Sequence, residues 1–523
     1  MSDDVNVVDA RAFQSLMAVR AGTLLALADQ LRRPGVQEKS ALRRILTRPF
    51  LSLVLGQSAQ LAELMDAYGA YNNSTWAVVR CHVAALKVFS GIHYQLLHLY
   101  HTSPSYRLLP VEGDFRGDTE AMADVTGGVI RKIACNLLAE AEKRNLPVPA
   151  TTHSAEALPP GKLPRDQSSR SVSSAKETVV RLATAFLNLS EDHEKLDAWI
   201  GRGRVMEGKG PANVPAEADV RQLEDRFHTL QALYDTFVSN TDVENLDELL
   251  PTLRGHISVI FHLLELTTGL AHYYERHMAW IPVAMPKSPE KDAQEPVPTI
   301  AADDLLRVVR TYSVHYALLY LKAGRDLCQR MLKQYAEIGE VVVPVPRYRG
   351  FHVRPSTLVS KIVLHYGSPV TMRLDGETYD ASSPLELFRA NEKINARKRR
   401  WLAAETSALL NQLDSQIEHH VMRVVRRIAM TLAEQSKVII YEYPLPSSSP
   451  LEKEEPPGAN FVIDELIRLQ SMGKIDIDAQ LEVTFRGDKR VLNDLQLLAR
   501  EGYGEDHFGN NIALPPELSY LRR

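Results

Sequence analysis

The sequence predicts a mainly α chain that ends in an α+β domain, and three observations carry that prediction. As far as about residue 335, apolar residues recur at three- and four-residue steps, the period of a helix with one buried face. Strand signals come later: a β-like valine run at 341–345, a short strand at 370–374, and at 481–485 the two-residue alternation of a half-buried strand. Two stretches rich in proline, 151–175 and 283–300, carry no periodicity and read as linkers.

These breaks set the domain order. Residues 1–150 form a first helical domain and 176–282 a second. Aligning Arg80 with Arg254 also pairs His82 with His256, Leu96 with Leu270, His98 with His272 and Tyr100 with Tyr274. Either the second domain repeats the first, or both share the composition of amphipathic helices. Residues 301–337 make a connector helix, along which Leu305, Val308, Val309, Tyr312, His315, Tyr316 and Leu319 form one apolar stripe.

Composition narrows the function classes. At 523 residues, 45% hydrophobic and 24% charged, the chain has enough apolar material for several cores. Its 61 Lys+Arg against 65 Asp+Glu, a net charge of -4, argue against a nucleic-acid partner. Cys81, Cys135 and Cys328 are too few and too scattered for a disulfide framework or a cysteine zinc site, and they fit a reducing cytoplasm. The acidic first residues do not resemble a signal peptide, and no apolar run reaches the ~18 residues of a membrane span.

His93, His98 and His101 fall in one predicted helix, and His262, His272 and His277 in another. They lack the H-E-x-x-H or paired E-x-x-H patterns of metal-binding helices, so they read as core or surface histidines, with no metal or cofactor expected. Tyr71, Trp76, Tyr94 and Tyr100, with Tyr273, Tyr274 and Trp280, read as packing. Without a Gly-rich phosphate loop, a nucleophile elbow or a kinase signature, the chain reads as a carrier or regulator rather than a turnover enzyme.

The chemistry concentrates in 350–357, Gly-Phe-His-Val-Arg-Pro-Ser-Thr. A histidine just before a helix start meets backbone N–H groups that have no intrahelical acceptor, and the positive end of the helix dipole. Phosphate suits such a place. Gly350 permits a sharp turn, Pro355 loses only an N–H that the first turn leaves unpaired, and Arg354 offers a planar cationic fork. Leu358, Val359, Ile362 and Val363 then follow at helical spacing, with Gly367 as C-cap. By itself, the string also suits a plain loop that enters a helix, with His352 as cap.

This string resembles the phosphorylation site of the histidine phosphocarrier protein (HPr) family of bacterial phosphotransferase systems. The resemblance runs without a gap through 370–374 and the turn at Asp375 and Gly376 to Ser382 and Ser383, at the start of another helix. It implies that His352 accepts a phosphoryl group, that Arg354 stabilises it, and that Thr357, Leu385 and Phe388 dock partners. The family's regulatory serine falls at Ser383, followed here by Pro384, with Glu386 and Asn391 where the family has glycines. Ser382 and Ser383 serve equally as ordinary helix N-caps.

An HPr domain closes with one more strand and helix, and here these lie far downstream. Residues 481–485 alternate, Arg486, Gly487 and Asp488 read as a turn, and Val491, Leu492, Leu495, Leu498 and Ala499 mark a helix. The expected fold is therefore an HPr-like open-faced β-sandwich, built from 338–392 and 478–510 and split by a helical insertion, 393–477. The insertion opens on the basic run Arg397, Lys398, Arg399 and Arg400, read as a solvated helix face. Leu410, Leu413, Ile417, Val421, Val424, Ile428 and Leu432 then predict one long helix, 438–441 a strand, 444–458 a loop and 461–469 a short helix. The insertion packs on the helical part or covers His352.

Three functions follow as expectations. In the first, a cytoplasmic phosphocarrier or regulatory protein takes a phosphoryl group on His352 from an enzyme I-like phosphohistidine donor and signals to an unidentified protein through its helical region. In the second, the HPr-like domain is a structural module without chemistry. In the third, it is appended to a helical sensor of a small molecule or metal. The helices leave room for a homo-oligomer.

Overall fold

A computed structural model describes residues 7–33, 35–36, 38–150, 163–164, 175–201, 214–278, 300–411, 421–443, 445, 459–477 and 481–522. Over these residues the chain is mainly helical, with small antiparallel sheets in its C-terminal part. It divides into two compact units, residues 1–328 and 329–523. The two expected linkers lie outside the described residues except at 163, 164, 175 and 300, and Trp280 lies outside them as well.

In the first unit, Arg48–Ala67, Ala77–Thr102 and Phe115–Lys143 pack side by side, and Glu217–Phe237 pairs with Leu250–Tyr273. Capping follows the sequence: Thr47 accepts from Phe50 N at 3.4 Å and Asp114 from Gly117 N at 3.0 Å. The two groups meet where Gly269 lies against Ile92, so closely that a Cβ would stand 3.2 Å from that side chain. The aligned arginines have like surroundings. Arg80 pairs with Asp66 at 2.7 Å and lies over Tyr71, while Arg254 pairs with Asp235 at 2.9 Å and lies over Tyr234.

The connector is not one continuous α-helix. Ala302–Val308 and Val314–Gln334 are α-helical, and Val309–Ser313 between them is a π-turn. A π-turn takes in one extra residue and so re-phases the apolar stripe. Tyr312 and Tyr316 thereby turn inward, where Thr119 Oγ1 lies 2.8 Å from Tyr312 Oη and Asp118 accepts from Tyr316 at 2.5 Å. His315 and Leu319, from the same predicted stripe, end up half-buried.

Among its described residues the second unit holds six strands: β1 (Ile338–Pro344), β2 (Thr371–Leu374), β3 (Glu377–Asp380), β4 (Val438–Ile440), β5 (Ile475–Ile477) and β6 (Glu482–Asp488). One antiparallel sheet has the order β1-β6-β2-β3, and β4 pairs with β5 in a second. Asp375 and Gly376, both left-handed at φ 49° and 82°, close the β2–β3 hairpin as a two-residue turn requires. Val343, Val483, Phe485 and Met372 are buried, and the alternate positions of β1 and β6 carry the facing pair Glu340 and Arg486. Helix Val353–Tyr366 packs on Lys489–Arg500, with Tyr366 Oη donating to Asp494 at 2.9 Å.

The expected turn at Arg486, Gly487 and Asp488 is instead the end of β6, where Gly487 pairs with Gly339 and Asp488 with Ile338. Gly487 is needed for close approach: a Cβ would lie 2.6 Å from Val370 Cγ2 and 2.9 Å from Pro369 O. Asp488 caps the next helix directly, accepting from Arg490 N at 3.1 Å.

Helix Pro384–Leu410 runs unbroken past residue 393, so the insertion begins as its extension. Leu402 from this helix, Val425 and Ile428 from Val421–Glu434, Leu466 from Ala459–Ser471, and Ile475 from β5 close a separate hydrophobic core. Of the single helix expected over 410–432, residues 412–420 lie outside the described residues. The basic run is not wholly a solvated face, because Lys398 is 3% exposed and turned inward.

Candidate functional site

Helix Val353–Tyr366 starts where the sequence places it, with His352 as N-cap and Gly367 left-handed at its end. Arg349 and Gly350 just before it have φ of 54° and 63°, a double left-handed bend that tips His352 back over its own chain. His352 N donates to Gly350 O at 2.8 Å, and Nδ1 lies 3.2 Å from the same oxygen. Nε2 faces Glu505, 3.3 Å from Oε2. The imidazole is 24% exposed and the Glu505 side chain 7%.

Arg354 lies on the other side of that carboxylate, its Nε 3.8 Å from Glu505 Oε1, and it donates to Asn511 at 2.5 Å. A loop beyond Lys489–Arg500 brings Glu505 here. Gly502, Tyr503 and Gly504 are all left-handed, and Tyr503 Oη is anchored on Pro344 O of β1 at 2.7 Å. Asp506 closes the next turn, accepting from Phe508 N and Asn510 N at 2.8 Å each.

The electrostatics oppose charge on either partner. Burial pulls the His352 pKa below the usual imidazole value, and Arg349 and Arg354 pull the same way, while the Gly350 carbonyl resists. Burial pushes the Glu505 carboxyl up to about 6, with Arg354 opposing and Asp506 adding to the rise. A neutral ring with its proton on Nδ1 satisfies Gly350 O and leaves Nε2 to accept from a protonated Glu505. Beside the pair opens a cavity of about 450 Å³, with Arg347, Tyr348, Arg500, Glu501, Asp506 and His507 among its walls.

The other residues singled out by sequence have simpler surroundings. Ser383 is the N-cap of Pro384–Leu410 and accepts from Glu386 N at 3.4 Å. Thr357 donates to Val353 O at 2.6 Å within its own helix. Leu385 is 67% exposed and Phe388 is half-buried. His98 and His262 stack edge to face at 4.5 Å in the first unit, but among the described residues no group of three or more His, Cys, Asp or Glu is arranged to hold a metal ion.

Sequence reasoning missed Glu505 as a partner of His352, and Asn391 and Asp476 as its supports. Asn391 accepts from Phe351 N and donates to Arg349 O, both at 3.0 Å, so its amide spans Gly350. Asp476 on β5 accepts from Arg349 N at 2.9 Å. The one local signal was the Gly502 and Gly504 pair, which marks a backbone bend without naming its target. Comparison with known protein families, with curated proteins and with solved structures found no match to this chain.

Proposed function

We propose that this protein is a phosphotransferase-system-related phosphocarrier or regulator, in which His352 accepts a phosphoryl group from a phosphohistidine donor protein. The observation that carries the reading is the seat of His352. His352, partly exposed, stands at the N-cap position of a 14-residue helix whose first N–H groups have no intrahelical acceptors, with Arg354 in the same turn. The sheet order β1-β6-β2-β3, with helices after β1, β3 and β6, supports it as well. Once 393–477 are set aside, the elements follow the order that the HPr-like open-faced sandwich implies.

In the transfer, the lone pair of a neutral His352 nitrogen attacks phosphorus while the N–P bond of the donor's phosphoimidazole breaks. The donor nitrogen leaves with that electron pair. Arg354 neutralises the incoming charge through its fork of donors. Both ring nitrogens face a partner, so either the Gly350 or the Glu505 contact opens first. The arriving phosphoryl group, about two negative charges, repels the Glu505 carboxylate and so reports through its loop. The helical region then carries the signal to a partner protein that Thr357, Leu385 and Phe388 help to dock.

The contact between Glu505 and Nε2 favours a second reading, in which the domain is a structural module and His352 serves an internal pair. The two are separated by incubation with phosphoenolpyruvate and the phosphotransferase donor enzyme of the same host. The first expects acid-labile phosphate on the wild type, none on His352→Ala, and labelling slowed ten- to a hundredfold in Arg354→Ala, about the worth of one charge-assisted hydrogen bond. An unlabelled wild type beside a labelled authentic HPr establishes the module.

A further inference from the structure

The bend that presents His352 is held from outside its own segment. Arg349 is a non-glycine residue at φ 54°, followed by Gly350 at 63°, a conformation that persists only where neighbours over-determine it. Asn391 bridges the two sides of Gly350, and a side chain at 350 would collide with its Oδ1. Asp476 takes the Arg349 N–H, while the Arg349 guanidinium lies over Tyr348 and reaches Gly473 O at 3.3 Å. Gly350 O, fixed at the centre of this arrangement, receives both N–H and Nδ1 of His352.

Asp476 is itself locked. Its carboxylate accepts from Lys398 Nζ at 2.9 and 3.0 Å and from Ile477 N at 2.7 Å, and both Asp476 and Lys398 are 3% exposed. Its neighbours on β5, Ile475 and Ile477, sit in the core of the insertion. A continuous chain of contacts therefore runs from that core through Lys398, Asp476 and Arg349 to Gly350 and the imidazole.

We infer that Asp476, locked by Lys398, and Asn391 are positioning residues for His352, and that the insertion sets the pose from which this histidine accepts its phosphoryl group. This rests on the phosphoacceptor reading for its consequence, but the positioning itself can be measured without any donor. Anything that shifts β5 within the insertion changes the pose of His352, which makes the insertion the place where phosphoacceptance is tuned.

The test uses the full chain with selectively labelled histidine. In Lys398→Met/Asp476→Leu the buried charges leave together, so no lone ion remains, and the acceptor for Arg349 N–H is lost. The His352 ring resonances are expected to show a changed tautomer and a titration midpoint that rises towards the ordinary ~6.5. At saturating donor, labelling should fall about tenfold or more while the donor concentration at half-maximal rate stays put, as expected of misorientation. Lys398→Met/Asp476→Asn keeps an oxygen for Arg349 N–H and should restore both. A folded Lys398→Met/Asp476→Leu with wild-type His352 resonances and midpoint overturns the inference. If that variant does not fold, Asn391→Ala, which removes both bonds across Gly350, decides it by the same spectra. If the wild type itself takes no phosphate, the phosphoacceptor reading falls, while the spectra still decide the positioning.

Discussion

His352 and Glu505 form a facing pair, Nε2 lying 3.3 Å from Oε2. Glu505 titrates near 6, and below that value a neutral carboxyl can donate to Nε2. Above it, a carboxylate stands where an anionic phosphoryl group would arrive. If His352 is an acceptor, its labelling rate should fall as pH rises through about 6, a dependence that Glu505→Gln should remove while speeding labelling at neutral pH. Initial rates across a pH series would check this. The stability linkage has the matching sign. A carboxyl raised in the folded state contributes stability that is present below its unfolded value and lost as pH rises through the folded one, so Glu505→Gln should not destabilise the protein at alkaline pH. At this scale the sequence revealed His352 and Arg354, because they share one short string with a helix start. It concealed Glu505, whose approach depends on three left-handed residues and on where β6 enters the sheet.

Two glycines illustrate how elements are specified. Gly376 sits at φ 82° with no atom within 4 Å of a would-be Cβ, so its role is conformational, and Gly376→Ala should cost about 1 kcal/mol through backbone strain alone. Gly487 has an ordinary strand conformation but no room, and Gly487→Ala should cost about 1–3 kcal/mol as Pro369 and Val370 are pushed aside. Urea unfolding of both variants, followed by hydrogen exchange in β2 and β6, would rank them. The same distinction explains why Arg486, Gly487 and Asp488 suggested a turn. Glycine beside aspartate is turn chemistry by composition, and only the neighbouring Pro369 and Val370 show that here it is a packing requirement. Lys398 misleads in a similar way: a basic run on a helix looks solvated until a buried Asp476 on a distant strand is found opposite one member.

Over the whole chain, the division into a helical part and a later part with sheets was legible because helix and strand periods differ and strands first appear near residue 338, alternating with helices from there on. The π-turn in the connector was not, since Leu305, Val308, Val309, Tyr312 and Tyr316 keep three- and four-residue steps straight through it. Residues 1–328 also carry a cluster of acid-sensitive groups. Burial holds His82, His93, His256 and His277 down to about 4, against an ordinary imidazole value of 6.5. Their contribution to stability is complete above the ordinary value and is lost as pH falls towards about 4, each adding up to ~1.4 kcal/mol per pH unit of slope. Hydrogen exchange in Ala77–Thr102 and Leu250–Tyr273 should therefore accelerate steeply over that window. His256 Nε2 accepts from Leu109 N and Nδ1 lies 3.0 Å from Tyr320 O, a role that a neutral amide can imitate. His256→Gln should flatten the dependence by about one proton.

The strand order has a consequence for how the protein is made. β6 lies between β1 and β2, so β1 has no strand neighbour, and β2 only β3, until residues 482–488 have left the ribosome. The bend at Arg349 is likewise held by Asp476, which is translated only just before β6. His352 thus emerges early but waits, without its scaffold, for more than a hundred further residues to be added. A nascent chain stalled before residue 482 should therefore carry His352 open to solvent, with neither β6 nor Glu505 yet in place around it.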